Sequence, residues 1–502
     1  MNQVKAGAVL NYVIIGLNTL LGLLYTPYML RMLGQNEYGL YSLVASIIGY
    51  LTILDFGFGN AIVRYTAKFI AEGKKQEQWE MFGMFLCVYT IIGLIAFVIG
   101  LGLYFNVDRL FDQTMTADEL SQARVMMMLL VINLALTFPF SMFGSIITAY
   151  EDFVFQKIVS ILRLLLSTAT IVLLLYIGYK AVAMVVVQTV FNISILLLNY
   201  IYCRYKIRIH IRFSRFNWAF IKEITTYSFW LFLNAIMDKI YWGTGQFVLG
   251  SISGTIAVSI FSVAILLQQM YMSFSVSISS VLLPRITAMV AHNKANHEVS
   301  DIFIRTGRLQ CIVLALVLSG FIIFGQPFID LWAGSGYGDS FVVTLIFFTA
   351  LFVPLIQNTG ITILQARNQL RFRSILYLVI SIVSLIFQIV LAKRYGAIGC
   401  AWAIGGALII GQGIIMNLYY AKYQAINISK FWREVGKMLI MPFVMTICSL
   451  IVLRYFAISD IKILFIGIPI FLIVYIPLFW QFSMNDYERQ LLLSPIRKII
   501  HI

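Results

Sequence analysis

The stretch 181–213 reads AVAMVVVQTVFNISILLLNYIYC and then RYKIRIHIRF. Its first 23 residues carry no charge, and its last ten carry four Lys or Arg. A helix needs about 20 apolar residues to cross the hydrocarbon core of a bilayer, and cations collect just beyond its end. The stretch therefore reads as one membrane crossing and the polar edge that ends it. Basic and apolar residues alternate in 204–213, which suits an extended segment held against anionic headgroups. No nucleic-acid-binding motif accompanies it, so no nucleic acid is expected as a partner.

The rest of the chain repeats this pattern. Of its 502 residues, 61% are apolar and 11% charged, against about 25% charged in an ordinary soluble domain. The mean hydropathy is +0.91. These values exclude a soluble enzyme, a disordered chain and a secreted disulfide scaffold. The five cysteines, Cys87, Cys203, Cys311, Cys400 and Cys448, lie in or beside apolar runs and form no CxxC pair. Neither a disulfide framework nor a zinc site is expected.

Fourteen runs are long and apolar enough to cross: 6–30, 39–63, 81–105, 125–149, 158–179, 181–203, 224–249, 256–284, 309–329, 341–366, 374–392, 395–421, 438–457 and 463–483. The expected fold is all-α and polytopic. An even number of crossings places both termini on one side. The connections on that side hold 26 Lys and Arg, and those on the other side hold 8. The positive-inside rule then makes both termini cytoplasmic. The net charge of +15 is thus mostly topology.

The halves resemble each other. Asn18 with Leu33-Gly34 parallels Asn234 with Leu249-Gly250; Arg64-Tyr-Thr-Ala67 parallels Arg285-Ile-Thr-Ala288; and Asn199-x-x-Tyr202-x-Arg204-Tyr205 parallels Asn417-x-x-Tyr420-x-Lys422-Tyr423. The offsets of 216, 221 and 218 residues span six helices, so both copies share one orientation. The pattern predicts a six-helix lobe over 1–203, a basic connection over 204–223, a second six-helix lobe over 224–421, and two further helices with a tail over 422–502. Parallel repeats of this kind place a binding site between lobes that rock against each other.

The run Arg31-Met-Leu-Gly34-Gln-Asn-Glu-Tyr-Gly39-Leu-Tyr41-Ser and the run Asp55-Phe-Gly57-Phe-Gly-Asn-Ala-Ile-Val-Arg64 resemble signatures of the bacterial polysaccharide-unit flippases. So do Leu282-Leu-Pro284-Arg285 and Pro327-Phe-Ile-Asp-Leu-Trp332-Ala-Gly334. That family shares a superfamily with multidrug extruders and lipid II flippases. The resemblance covers nearly the whole chain through short, loose motifs. It implies a two-lobed transporter of the bacterial cytoplasmic (inner) membrane, not an enzyme. Its implied substrate is an undecaprenyl-pyrophosphate-linked oligosaccharide destined for capsule or lipopolysaccharide. Membrane lipids and polysaccharide polymerase machinery are the expected partners, with no cofactor beyond H+ or Na+ as a coupling ion.

Apart from Arg454, which lies near the end of 438–457 where it can snorkel to the headgroups, four charged residues fall inside the expected spans: Asp55, Arg163, Asp238 and Lys239. Each costs about 2.5–3.5 kcal/mol at a bilayer centre unless it meets a partner or water. Lys239 is the candidate for the pyrophosphate, against the plainer reading of an ion pair with Asp238 or Asp55. Asp55, beside Gly57 and Gly59 at a potential bend, and Asp238 are the candidates for ion coupling. Arg64, Arg285 and Arg163 are candidate entry contacts, because guanidinium groups grip phosphate oxygens in a fork. As plain anchors they would instead snorkel to the headgroups. Arg31 ends the first span on the other side. Asn18 and Asn234 are candidate sugar contacts or interhelical hydrogen bonds.

No G-x-x-x-x-G-K-[ST] motif is present, which argues against an ATP-driven pump. Two other functions fit the composition. A cation-coupled multidrug extruder would favour acidic residues in its cavity. A non-transporting scaffold of a polysaccharide synthesis complex would not depend on Lys239.

Overall fold

Backbone N–H and C=O groups cannot stay unpaired in hydrocarbon, so an apolar chain of this kind closes its hydrogen bonds inside helices. A computed structural model describes residues 3–213, 218–280, 286, 288–289, 295–367, 369–455, 463–491 and 493, and every element among them is helical. Eleven helical stretches among the described residues are long and apolar enough to cross a membrane. Two of these, Val13–Glu72 and Arg371–Tyr423, run to 60 and 53 residues, far beyond the about 20 that one crossing needs. Both contain a backbone break, at Gly34 and Gly396. The chain divides into two compact units, Met1–Ser262 and Val263–Ile502.

The first unit holds α1 (Gln3–Leu51), a 3₁₀ turn (Thr52–Asp55), α2 (Phe58–Glu72), α3 (Lys75–Phe105), the short α4 (Val107–Phe111), α5 (Ala117–Ala149), α6 (Phe153–Ile177), α7 (Ala181–Tyr202), α8 (Trp218–Ile252) and the start of α9 (Gly254–Ser280). Helix α5 is its core. It packs against α3, α7, α2 and α1 and buries Met126, Phe138, Met142, Phe143 and Ile146. Lipid offers no hydrophobic drive for this association, so small residues that allow close approach do much of the packing. Gly100 of α3, for example, receives the Val131 side chain.

On the face that carries the N-terminus, Val154 N donates to Gln3 Oε1 at 3.3 Å and Tyr150 Oη donates to Gln78 Oε1 at 3.2 Å. The basic stretch after α7 lies on this face too. Cys203–Ile207 continue α7 as a π-helical turn, Arg208 is left-handed, and 209–213 have no regular structure. This part straps the start of α3: Arg212 N donates to Trp79 O at 3.1 Å, and the His210 ring stands edge-on to Trp79 at 4.7 Å. Gly83 makes room for it, because a Cβ there would lie 2.0 Å from Arg212 O.

The second unit completes α9 and adds α10 (Asn296–Trp332), a short turn (Ser335–Tyr337), α11 (Asp339–Ile356), α12 (Thr359–Ala366), α13 (Arg371–Leu408), a π-helical stretch (Ile409–Ile415), α14 (Met416–Tyr423), α15 (Ile428–Tyr455), a π-helical turn (Ile463–Gly467) and α16 (Ile468–Phe482). Its local geometry repeats that of the first. Left-handed glycines recur at Gly178 and Gly396, 218 residues apart, and helix prolines at Pro139 and Pro354. Arg208 and Ala425, 217 apart, are both left-handed, and the residue after each donates a backbone bond of 3.1 Å, Ile209 N to Cys203 O and Ile426 N to Tyr420 O. One pairing read from sequence shifts. The turn at Gly34, with φ +76°, recurs at Gly254, with φ +83°, and not at Gly250. A left-handed turn is least strained at a residue without Cβ, whereas Gly250 sits inside α8 against Leu43.

The second unit also holds a charged cluster that the sequence reading assigned to polar connections. Helix α10 starts at Asn296, not 309, and this puts Arg308 inside it at 5% exposure. Arg308 Nε donates to Glu488 Oε1 at 2.5 Å and Nη2 to Oε2 at 3.0 Å; Nη1 donates to Glu434 Oε2 at 3.2 Å and Nη2 to Ser483 O at 3.1 Å. Glu488 is 1% exposed. One guanidinium thus ties α10 to α15 and to the segment that follows α16. Breaking a buried pair leaves an uncompensated charge, at a cost of about 3–5 kcal/mol. Glu488→Gln is expected to lower the thermal unfolding midpoint of the purified protein by several degrees. The double variant Arg308→Met/Glu488→Leu should recover most of the loss, because apolar replacements of similar volume are often neutral. Equal midpoints for Glu488→Gln and the parent chain would refute a stabilising pair.

Candidate functional site

Helices α1 and α8 run antiparallel through the first unit, and four contacts mark their seam. Leu43 packs on Gly250, Tyr50 Oη donates to Thr244 Oγ1 at 2.6 Å, Lys239 lies over Gly49, and the Phe56 and Phe232 rings stack at 4.4 Å. Lys239 is placed by what Gly49 lacks: Nζ stands 3.3 Å from the point where a Cβ on Gly49 would be. The lysine is half-buried and makes no hydrogen bond or ion pair among the described residues. Neighbouring helix positions differ by about 100°, and Asp238 is accordingly exposed while Lys239 is not.

Asp55 ends the 3₁₀ turn that interrupts the second expected span. The next two residues, Phe56 and Gly57, are left-handed, with φ 53° and 72°. The chain thus bends where the glycines of that run allow it. Asp55 Oδ1 accepts a 2.8 Å hydrogen bond from Tyr89 Oη, and Tyr89 is fully buried in α3. No basic group pairs with Asp55 among the described residues. Nothing in the sequence singled out Tyr89, since its partner lies 34 residues away.

The other candidates are dispersed. Arg64 is exposed on α2, with its guanidinium 5.9 Å from the Tyr65 ring centre. Arg163 is exposed on α6 among exposed leucines, and Asn18 and Arg31 are exposed on the first half of α1. Arg285 lies outside the described residues. Asn234 falls on α8, and its side chain lies outside them too. No group of three His, Cys, Asp or Glu among the described residues is placed to hold a metal ion. The structure therefore brings the Lys239–Gly49 crossing and the Asp55–Tyr89 bond onto the same stretch of chain, 49–57, and, among the described residues, leaves Arg31, Arg64 and Arg163 on separate helices.

In the second unit, apolar cavities lie along α10, α15 and α16. One of about 470 Å³ is lined by Ile323, Phe324, Cys448, Val452, Ile470 and Val474, and one of about 210 Å³ by Leu316, Gly320, Phe328 and Leu472, with Phe471 shared. Hydropathy could not separate these groove residues from ordinary lipid-facing ones.

Known proteins resemble this arrangement. The solved structure of the lipid II flippase MurJ, in an inward closed conformation, superposes with a TM-score of 0.72 over 98% of this chain and 99% of its own, at 16% identity. A MOP superfamily transporter from Pyrococcus furiosus superposes with a TM-score of 0.57 over 86% and 96%, at 13% identity. In Bacillus subtilis (strain 168), the membrane protein EpsK is 20% identical over 451 residues, 87% of this chain and 86% of its own. The family model described as polysaccharide biosynthesis protein matches residues 4–290, more than half of the chain. This chain is thus a multi-pass membrane protein with the fold of the MOP-superfamily transporters, and it belongs to the polysaccharide biosynthesis protein family.

Proposed function

We propose that the protein is a flippase that carries undecaprenyl-pyrophosphate-linked oligosaccharide units across the bacterial cytoplasmic membrane for surface polysaccharide synthesis. The observation that carries this reading is Lys239: a half-buried ammonium on the long helix α8 that makes no hydrogen bond or ion pair among the described residues. Such a charge costs about 2.5–3.5 kcal/mol in a bilayer centre, and an arriving anion offsets that cost. A pyrophosphate is such an anion, and the absence of a Cβ at Gly49 makes room for the ammonium beside α1. Family membership and the MurJ-like fold support the substrate class.

In this reading the membrane is crossed fourteen times, with Val13–Glu72 and Arg371–Tyr423 counted twice each and α8 added. Both termini are cytoplasmic, in keeping with 26 against 8 basic residues. The lobes are 1–203 and 224–421, joined by the basic connection 204–223, with 422–502 appended. The headgroup enters past Arg64, Arg285 and Arg163, is held by Lys239 with Asn18 and Asn234 on its sugars, and leaves past Arg31. The polyprenyl tail stays in the apolar grooves along α10, α15 and α16. Asp55 and Asp238 are the proton or sodium sites that couple the cycle to a gradient. Rocking of the lobes moves the headgroup, no covalent step is involved, and polymerase machinery consumes the product.

Deleting the gene is expected to leave lipid-linked oligosaccharide on the inner leaflet, measured by its protection from an external glycosidase. Normal export with raised drug sensitivity would instead identify an extruder. A hydrogen bond to a charged group is worth about 1.5–3 kcal/mol, so Lys239→Ala should cut export at least tenfold at equal protein level, and Lys239→Arg should keep most of it. Export unchanged by Lys239→Ala would remove the lysine from the substrate path and favour a scaffold. If Asp55 couples the cycle, Asp55→Asn should export at a rate that no longer responds to collapse of the proton or sodium gradient. Tyr89→Phe, which loses only the hydroxyl, should keep that response.

A further inference from the structure

The connection between α3 and α5 lies on the face opposite the N-terminus and carries a charged cavity that the proposed transport path does not use. Helix α4 buries Val107 and Phe111 and so presents Asp108, Arg109 and Asp112 on its other side. The first turns of α5 bury Leu120 and Ala123 and leave Ser121 and Arg124, three residues apart, on one exposed face. Asp108 and Arg124 form an ion pair between the two helices. The cavity there has a volume of about 450 Å³ and is lined by Asp108, Arg109, Asp112, Leu120, Ser121 and Arg124. The side chains of Arg109, Asp112 and Ser121 make no hydrogen bond or ion pair among the described residues, although Arg109 and Asp112 have opposite charge and line the same cavity.

The cavity stands at the edge of the apolar belt. Leu94, Val98 and Phe105 of α3 are 60%, 67% and 74% exposed, and the first charge of the cavity follows Phe105 directly, at Asp108. On α5, the exposed Val125 is next to Arg124. Exposed apolar side chains of a membrane protein face acyl chains, and polar groups just beyond them lie at the level of the headgroups.

The lining selects among ligands by charge. Its two carboxylates and two guanidiniums cancel. A simple cation is repelled by the guanidiniums and a simple anion by the carboxylates, so neither gains from the site as a whole. A ligand of both signs satisfies the two free groups at once. Its phosphate accepts from the Arg109 fork, and its ammonium donates to Asp112. An exposed charge contact is worth little in solution. Membrane lipid, however, is always present at the mouth of this cavity, so a small preference decides which headgroup occupies it.

We propose that Arg109 and Asp112 form a binding site for the phosphoethanolamine headgroup of a membrane phospholipid, in the leaflet opposite the N-terminus, and that this lipid ties the α3–α5 connection to the bilayer. The site shares no residue with the surroundings of Lys239. It needs only that the first unit spans a membrane, so it stands or falls independently of the flippase reading.

The test mixes purified full-length protein in detergent micelles with equal amounts of phosphatidylethanolamine and phosphatidylglycerol of the same acyl chains. Native mass spectrometry then counts the lipids retained. The parent chain should retain more phosphatidylethanolamine. Asp112→Asn leaves Arg109 unopposed and should lower the ratio of phosphatidylethanolamine to phosphatidylglycerol about threefold, the worth of one exposed charge contact, by gaining phosphatidylglycerol. Arg109→Gln should lower the ratio by losing phosphatidylethanolamine without that gain. Both side chains are exposed, and unchanged thermal midpoints without lipid would show that the variants fold as the parent does. Equal retention of the two lipids by the parent chain, or a ratio unmoved by both substitutions, would overturn the site. A thermal midpoint raised as much by free O-phosphoethanolamine as by the lipid would assign the cavity to a soluble ligand and overturn the lipid as its occupant.

Discussion

The fold depends on the cost of an unpaired peptide group in hydrocarbon. That cost forces a chain this apolar into helices, and each departure from a helix must satisfy its freed backbone groups locally. The breaks in this protein do so in matched pairs. The turns at Gly34 and Gly254 and those at Gly178 and Gly396 use left-handed glycines, and the Cys203 and Tyr420 carbonyls each accept the backbone bond of a terminating turn. The duplication is therefore visible in the positions where the helix is allowed to stop, more sharply than in side-chain identity.

Within that frame the charges separate into two classes. Arg308 is buried and saturated, with two carboxylates and two carbonyls around its guanidinium. It fastens the end of the chain to α10 and has no capacity left for a ligand. Lys239 is half-buried against Gly49 and makes no hydrogen bond or ion pair among the described residues. Both residues are cations on long apolar helices, and only their surroundings tell a structural tie from a site able to receive an anion. Asp55 stands between these cases, with one oxygen engaged by Tyr89.

Glycine links the packing to the proposed transport. At Gly83 and Gly100 it admits neighbours that stay in place. At Gly39 it admits the Thr255 carbonyl of α9, at Gly49 the Lys239 ammonium and at Gly250 the Leu43 side chain.

The sequence by itself determined the helical membrane class, the repeat offset and the concentration of basic residues in alternate connections, because hydropathy and charge act over lengths set by the bilayer. It also marked Lys239 and Asp55, since charge within an apolar run is visible without coordinates. Only the tertiary structure decided what those charges meet. Tyr89 lies 34 residues from Asp55, Glu488 lies 180 from Arg308, and Lys239 lies 190 from Gly49. It also moved the repeat pairing from Gly250 to Gly254, because a turn is defined by backbone dihedral and not by residue type. Local composition reports how a segment meets its solvent. Which segments meet each other follows from helix packing, where a missing Cβ or one distant hydroxyl sets the contact.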